Sequence, residues 1–359
     1  MTESSLNSAR LTATLAEIRD PETGRRITEV NMLKNAKAAA GVATITVGLT
    51  SHSGPLRNDF KSEIEALLKQ NHPELSEIKI EIVEHEKKPQ MLGQIGLTVK
   101  SVIAVGSGKG GVGKSSVATM LALGLQRAGC KVGLLDSDVY GPSVPQLLGI
   151  QDKPEQADKK IVPIDYHGMK VMSIGLLVPA EQAVIWRGPM LHSAMTTFLR
   201  DTLWGELDYL IIDMPPGTGD VALSLSQMLP LTGAVVVCTP QQVALIDAVK
   251  AVGMYRKVKI PVLGMVENMS GFVCPDNGKR YDIFGKGGAK QFAETDQIPF
   301  LGEIPIMLPV RELGDQGSLI ECFDDEMVAP VFEKVVYNLA RILADKAMKE
   351  MPMPQLPML

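Results

Sequence analysis

A glycine-rich loop sets the first constraint on how this chain can fold. Residues 108–115 read Gly-Lys-Gly-Gly-Val-Gly-Lys-Ser and follow directly on the apolar run Ser-Val-Ile-Ala-Val-Gly at 101–106. The pattern G-x-x-x-x-G-K-[ST] needs a strand before it and a helix after it. Its glycines let the backbone turn tightly enough for N–H groups to converge on phosphate oxygens. Gly108, Lys109, Gly110, Gly111, Val112, Gly113, Lys114, Ser115 and Ser116 are therefore the expected phosphate-binding residues. Within them, Lys114 would reach the β- and γ-phosphates and Ser115 would offer its hydroxyl to Mg²⁺. Lys109 is a second lysine that an ordinary phosphate loop does not need.

Two carboxylate elements follow in the order that phosphate chemistry requires. Leu-Leu-Asp-Ser-Asp at 134–138 closes the next apolar run, so Asp136 and Asp138 leave a strand at the sheet edge where the phosphates would lie. Leu-Ile-Ile-Asp-Met-Pro-Pro-Gly-Thr-Gly-Asp at 210–220 places Asp213 at a strand end, as a Walker-B carboxylate is placed, to hold Mg²⁺ directly or through water. Gly217, Gly219 and Asp220 would form a switch segment that senses the γ-phosphate. A lone glycine loop can be only a turn, and a strand-ending Asp can be only a cap. Three elements in register point to a nucleotide, and no guanine-recognition phrase is visible.

From about 97 to 350 the chain alternates strand and helix patterns, with apolar strands expected at 101–106, 131–136, 208–213, 233–238, 261–266 and 299–304. Near-continuous apolar strands with helical crossovers imply an α/β fold: a P-loop NTPase whose mainly parallel sheet is covered by helices on both faces. Its ligands sit at the strand C-termini. A smaller α+β domain is expected in front of it. Leu11, Leu15 and Ile18 have helical spacing, Asp20-Pro-Glu-Thr-Gly24 reads as a turn, 42–49 and 78–83 read as strands, and 59–70 reads as a helix. The expected division is 1–86 for this domain, a linker over 87–100, the P-loop NTPase domain over 101–349 and a disordered proline-rich tail over 350–359. Val328, Val331, Val335, Leu339 and Leu343 mark a last helix packed on the sheet.

Composition narrows the function classes. The 359 residues carry a net charge of −5, which does not suggest a nucleic-acid partner. No run of 18 apolar residues is present, and the N-terminus lacks the layout of a secretion signal, so a cytoplasmic protein away from the membrane is expected. Cys130, Cys238, Cys274 and Cys322 are far apart, without disulfide-framework or zinc spacing. The five histidines form no i, i+4 metal pair. Trp186-Arg187 reads by default as a packed tryptophan beside a salt-bridged arginine.

The loop, with Asp136-Ser-Asp138 and Asp213-Met-Pro-Pro-Gly-Thr-Gly-Asp220, resembles the deviant Walker-A ATPases of the MinD/ParA/nitrogenase-iron-protein group. Asp138-Val-Tyr-Gly-Pro-Ser143, Trp186-Arg-Gly-Pro-Met190, Thr239-Pro-Gln-Gln242 and Glu267-Asn-Met-Ser270 narrow this to the Mrp (ApbC-like) iron–sulfur cluster carriers. The likeness covers nearly all of 97–345. The front part resembles the iron–sulfur assembly-type domain that often opens such proteins, through its Asp20-Pro21-Glu22 turn. The resemblance implies ATP with Mg²⁺, and a homodimer in which Lys109 reaches the partner's nucleotide. It further implies a water-orienting role for Asp138, adenine contact by Asn268, and a 4Fe–4S cluster delivered to apo iron–sulfur proteins, with assembly scaffold proteins as further partners.

The match breaks at the cluster motif. The family carries Cys-x-x-Cys after the Asn-Met-Ser phrase, whereas here Phe272-Val-Cys-Pro-Asp-Asn-Gly278 has Cys274 at the first position and Asn277 at the second. In the small domain, Gly54 stands where the family often has a cysteine. Two thiolates per dimer are fewer than the four that ordinarily hold a cluster. Cys274 is thus a cluster ligand helped by Asp276 or a small thiol, a remnant in a protein that kept only the switch, or a plain thiol. The rival functions are an ATP-dependent scaffold or regulator without cargo and a MinD/ParA-like positioning switch. The tail is poor in the basic residues that a positioning switch would need at a membrane.

Overall fold

The computed structural model describes residues 8–93, 95–139, 141–177, 188–217 and 219–349. Trp186-Arg187, Tyr140, Thr218 and the tail 350–359 lie outside them. Two compact units are present: 8–87 with 340–349, and 88–339.

The first unit contains helices α1 (Ser8–Leu15) and α2 (Arg57–Asn71) and strands β1 (Leu33–Ala39), β2 (Val42–Leu49) and β3 (Glu77–Glu84). β2 is central, antiparallel to β1 and parallel to β3. Leu11 and Leu15 from α1, Ile45 and Val47 from β2, and Phe60, Ile64 and Leu68 from α2 are buried together at helical and strand spacing. The Asp20 turn forms as its residues dictate: the carboxylate accepts from Glu22 N at 3.0 Å and from the Thr23 hydroxyl at 2.5 Å. β1 was not expected, because Leu-Lys-Asn-Ala-Lys-Ala-Ala is poor in strand formers. Its pairing is set by a two-residue hairpin turn, Ala40-Gly41, with both φ values positive at 48° and 78°.

Among the described residues, the second unit is built on seven parallel strands: β4 (Leu97–Gly106), β5 (Val132–Asp136), β6 (Met169–Ser173), β7 (Leu207–Asp213), β8 (Gly233–Cys238), β9 (Val262–Val273) and β10 (Phe300–Ile306). Their spatial order is β10-β9-β8-β4-β7-β5-β6. Every residue of β5, β7 and β8 is buried, which accounts for their unbroken apolar runs. Helices α3 (Lys114–Arg127), α4 (Gly188–Arg200), α5 (Gly219–Met228), α6 (Gln242–Lys257) and α7 (Gly288–Thr295) lie among the strands along the chain, and α8 (Leu308–Gln316) and α9 (Ala329–Lys349) follow them. Two departures stand out. β6 is a seventh strand whose short Met-Lys-Val-Met-Ser sequence gave no signal. β4 begins four residues before the apolar run, so 97–100, expected as linker, are strand, with Met91–Leu92 paired antiparallel to its start.

Candidate functional site

Three strands deliver their C-terminal ends to one place. In the sheet register Asp213 of β7 pairs with Val105 of β4 on one side and Asp136 of β5 on the other. The glycine loop leaves β4 and enters α3 at Gly113, whose φ of 79° is left-handed. Space as well as conformation demands glycine here. A Cβ at Gly108 would collide with the Asp247 backbone of α6, and one at Gly113 with the amide nitrogen of Asn268.

Lys114 is buried between acidic groups. Its Nζ donates to Asp213 Oδ1 at 2.5 Å and to Ser115 Oγ at 3.1 Å, and lies 3.6 Å from Asp138 Oδ2. Asp136 is fully buried and accepts from Asp138 N at 3.1 Å, Val144 N at 3.2 Å and Ser173 Oγ at 3.0 Å. Burial, reinforced by the charge of Asp213, pushes the Asp136 carboxyl up to about 7. Burial also raises Asp213, against the pull of Lys114. The carbonyl of Asp213 accepts from the Ser137 backbone N–H at 3.0 Å and hydroxyl at 2.6 Å. Its carboxylate Oδ2 is buried with no partner among the described residues. An orphaned carboxylate oxygen beside the Ser115 hydroxyl fits a hard cation, which takes oxygen ligands.

Lys109 is half-buried, and its side chain makes no hydrogen bond or ion pair among the described residues. Its carbonyl accepts from the Ser107 hydroxyl at 2.9 Å. The switch candidate lies against the loop: Gly217 N donates to Ser107 O at 3.0 Å, and Gly219 opens α5. Asn268 Nδ2 donates to the Val112 carbonyl at 2.9 Å. Asn268 also lines, with Gly113, Ser116, Met307, Val310 and Arg311, a cavity of about 350 Å³ beside the loop. Sequence reasoning missed Ser107, Ser137 and Ser173. Ser107 precedes the loop and Ser137 lies inside the Asp136-Ser-Asp138 element, but Ser173 comes from the undetected β6.

Cys274 sits elsewhere, at the end of β9, in a turn leading to a short antiparallel strand Arg280–Tyr281. Its N–H donates to Lys279 O at 3.0 Å, and its carbonyl accepts from Gly278 N at 2.8 Å. Asn277 Oδ1 accepts from Lys279 N at 2.9 Å, so this side chain supports the turn. Among the described residues no three His, Cys, Asp or Glu side chains form a metal-holding group. The other cysteines are buried, and burial pushes the thiols of Cys238 and Cys322 up to about 12 and about 11.

Residues 98–340 match the family of NUBPL iron-transfer P-loop NTPases. The chain belongs to this family. Residues 8–82 match a second family, described as iron–sulfur cluster assembly protein. A Deinococcus radiodurans iron–sulfur cluster carrier protein is 47% identical over 360 residues, spanning 99% of this chain and 100% of its own length. A Synechocystis iron–sulfur cluster carrier protein is 40% identical over 344 residues, 92% of this chain and 95% of its own. The solved nucleotide-binding protein of Archaeoglobus fulgidus, in complex with ADP and with cobalt found in it, superposes with a TM-score of 0.56 at 42% identity. The match covers 62% of this chain and 88% of that one. The cell-division ATPase MinD of Pyrococcus furiosus shares the fold, with a TM-score of 0.50 at 22% identity over 66% of this chain and 97% of its own. This iron-transfer NTPase thus combines a mainly parallel P-loop sheet with an assembly-type front unit.

Proposed function

We propose that this NTPase binds and hydrolyses ATP and uses the cycle to hold and release an iron–sulfur cluster for apo-proteins, working as a homodimer in the cytoplasm. The observation that carries the reading is the enclosure of Lys114 by Asp213 and Asp138 at the mouth of a glycine-constrained loop. A lysine held there can exchange carboxylate oxygens for those of the β- and γ-phosphates at little rearrangement. Ser115 and Asp213 would hold Mg²⁺, which supplies positive charge to the phosphate oxygens. Asp138, next to Lys114, orients the attacking water, and the cavity lined by Asn268 takes the adenosine. Lys109, with no partner of its own among the described residues, offsets phosphate charge across the dimer as an arginine finger would. Gly217, Gly219 and Asp220 report the γ-phosphate.

The cargo is read at Cys274, the one half-buried cysteine, and the names of the Deinococcus and Synechocystis relatives, iron–sulfur cluster carrier proteins, support a cluster as that cargo. Two Cys274 thiolates and auxiliary ligands such as Asp276 would hold one 4Fe–4S cluster between subunits. Client apo iron–sulfur proteins and assembly scaffold proteins complete the partner set. The second reading, an ATP-dependent scaffold without cargo, is favoured by the turn role of Asn277. A transfer assay separates them. Cluster-loaded protein should convert an apo-ferredoxin to its holo form within minutes, at a rate that changes with ATP. Failure to convert it under any nucleotide condition would favour the scaffold.

A further inference from the structure

One strand touches the phosphate loop and leads to the half-buried thiol of Cys274. Asn268 of β9 donates to Val112 of the loop at 2.9 Å, and Cys274 lies six residues further along the same chain segment. Between them the strand is irregular. Pairing with β10 runs from Asn268–Ile304 to Phe272–Ile306, so β9 uses four residues where β10 uses two. Met269 takes up the surplus with a φ of 56°, in the left-handed region that a long side chain rarely adopts. Ser270 is fully buried, and its Oγ has no partner among the described residues. Both features are disfavoured in themselves and persist only where the surroundings impose them.

The far side of this bulge is clamped by Arg280. Its guanidinium donates to the Ser270 carbonyl at 2.8 Å, pairs with Asp282 at 3.0 Å and reaches Glu303 of β10 at 3.4 Å. A Cβ on Gly271 would lie 2.8 Å from Arg280 Nε, so the arginine packs directly on the bulge. Arg280 also begins the short strand that closes the Cys274 turn. A shift of the loop at Val112 therefore moves Asn268. The bulge must then absorb the shift or pass it through Arg280 to the thiol.

We propose that the bulge at 269–271 carries the nucleotide state of the phosphate loop to Cys274, with Arg280 as the positioning residue that delivers it. The inference rests on the loop binding ATP; it does not require that Cys274 hold a cluster. The test uses the full-length, reduced, iron-free protein. Alkylation of Cys274 by iodoacetamide is timed by peptide mass spectrometry, with and without saturating ATP and Mg²⁺, and the buried Cys130, Cys238 and Cys322 serve as internal references. The rate should change by at least about fivefold on nucleotide binding, the lower end of ordinary site–site coupling. Arg280→Gln should keep its ATP affinity and bring the ratio close to one. Glu303→Gln, which loosens only the tie to β10, should give an intermediate ratio and decides the matter if Arg280→Gln does not fold. Sedimentation of the same samples separates subunit burial from the strand route. An unchanged wild-type rate at proven saturation overturns the proposal, as does a full ratio in the folded variants or protection that only follows the dimer fraction. Loss of ATP binding would instead strike the nucleotide reading, and absence of iron binding would leave the ratio untouched.

Discussion

At the phosphate end of the sheet, Lys114 leaves 6% of its side chain exposed and is enclosed by Asp213 and Asp138, whereas in the hairpin at 275–279 every residue is exposed. In the first region each residue answers to several others. Asp136 has three donors, Gly108 has no room for a methyl group, and the charge of Lys114 is matched by carboxylates. In the second, the fold asks only for a turn, and Asn277 meets that demand with one hydrogen bond. A buried charge cluster cannot lose a member without leaving another group unpaired. A surface turn can change a ligand and remain a turn. On the proposed function, the switch residues are therefore tied to the fold, and the cargo residues are free to vary.

The largest effect that would test this contrast is kinetic. Lys109→Ala should leave thermal stability unchanged and lower ATP turnover by about 10³- to 10⁵-fold, the range of a charge supplied in trans. Undiminished turnover would show that the partner's nucleotide does not depend on it. Lys114→Ala removes the cation from a buried acidic cluster, so denaturation should show a loss of about 3–5 kcal/mol, with nucleotide binding abolished.

A pH titration of stability sharpens the same comparison. Asp136 ordinarily titrates at 3.8 and is raised to about 7 in the folded protein. Between those values the folded state holds a proton that the unfolded state has released. The contribution of this group to stability therefore falls as pH rises from about 4 to about 7. The melting temperature of nucleotide-free protein should drop across that window, and Asp136→Asn should flatten the drop. An identical slope in the variant would assign the titration to another group. The smallest effect is expected at the hairpin, where Asn277→Ala should cost less than about 1 kcal/mol, because water replaces an exposed turn hydrogen bond. Asn277→Cys should melt like the parent and raise iron retention.

What could be read from the sequence follows the same divide. The placement of the loop, Asp136 and Asp213 at adjacent strand ends was legible, because the motif spacing and the apolar runs before it restrict the local structure. The helices α1 and α2 were legible from spacing, although α1 ends at Leu15 and leaves Ile18 beyond it. β6 was not, since a five-residue strand of Met, Lys, Val and Ser carries no periodic signal, and Ser173 was lost with it. The bond from Asn268 to Val112 spans 156 residues and has no local signature. The turn role of Asn277 had a signal, the Asp-Asn-Gly sequence at 276–278, which was overshadowed by the comparison with a cysteine motif.

The central claim is that an intact nucleotide switch serves a cluster site reduced to one thiol per subunit. Anaerobic reconstitution with iron and sulfide, counted per dimer beside a Cys274→Ser variant, tests it most directly. The account predicts about four iron and four sulfide in the parent protein and none in the variant. No cluster in the parent protein, with ATP binding intact, would contradict it and leave an ATP-dependent scaffold in its place.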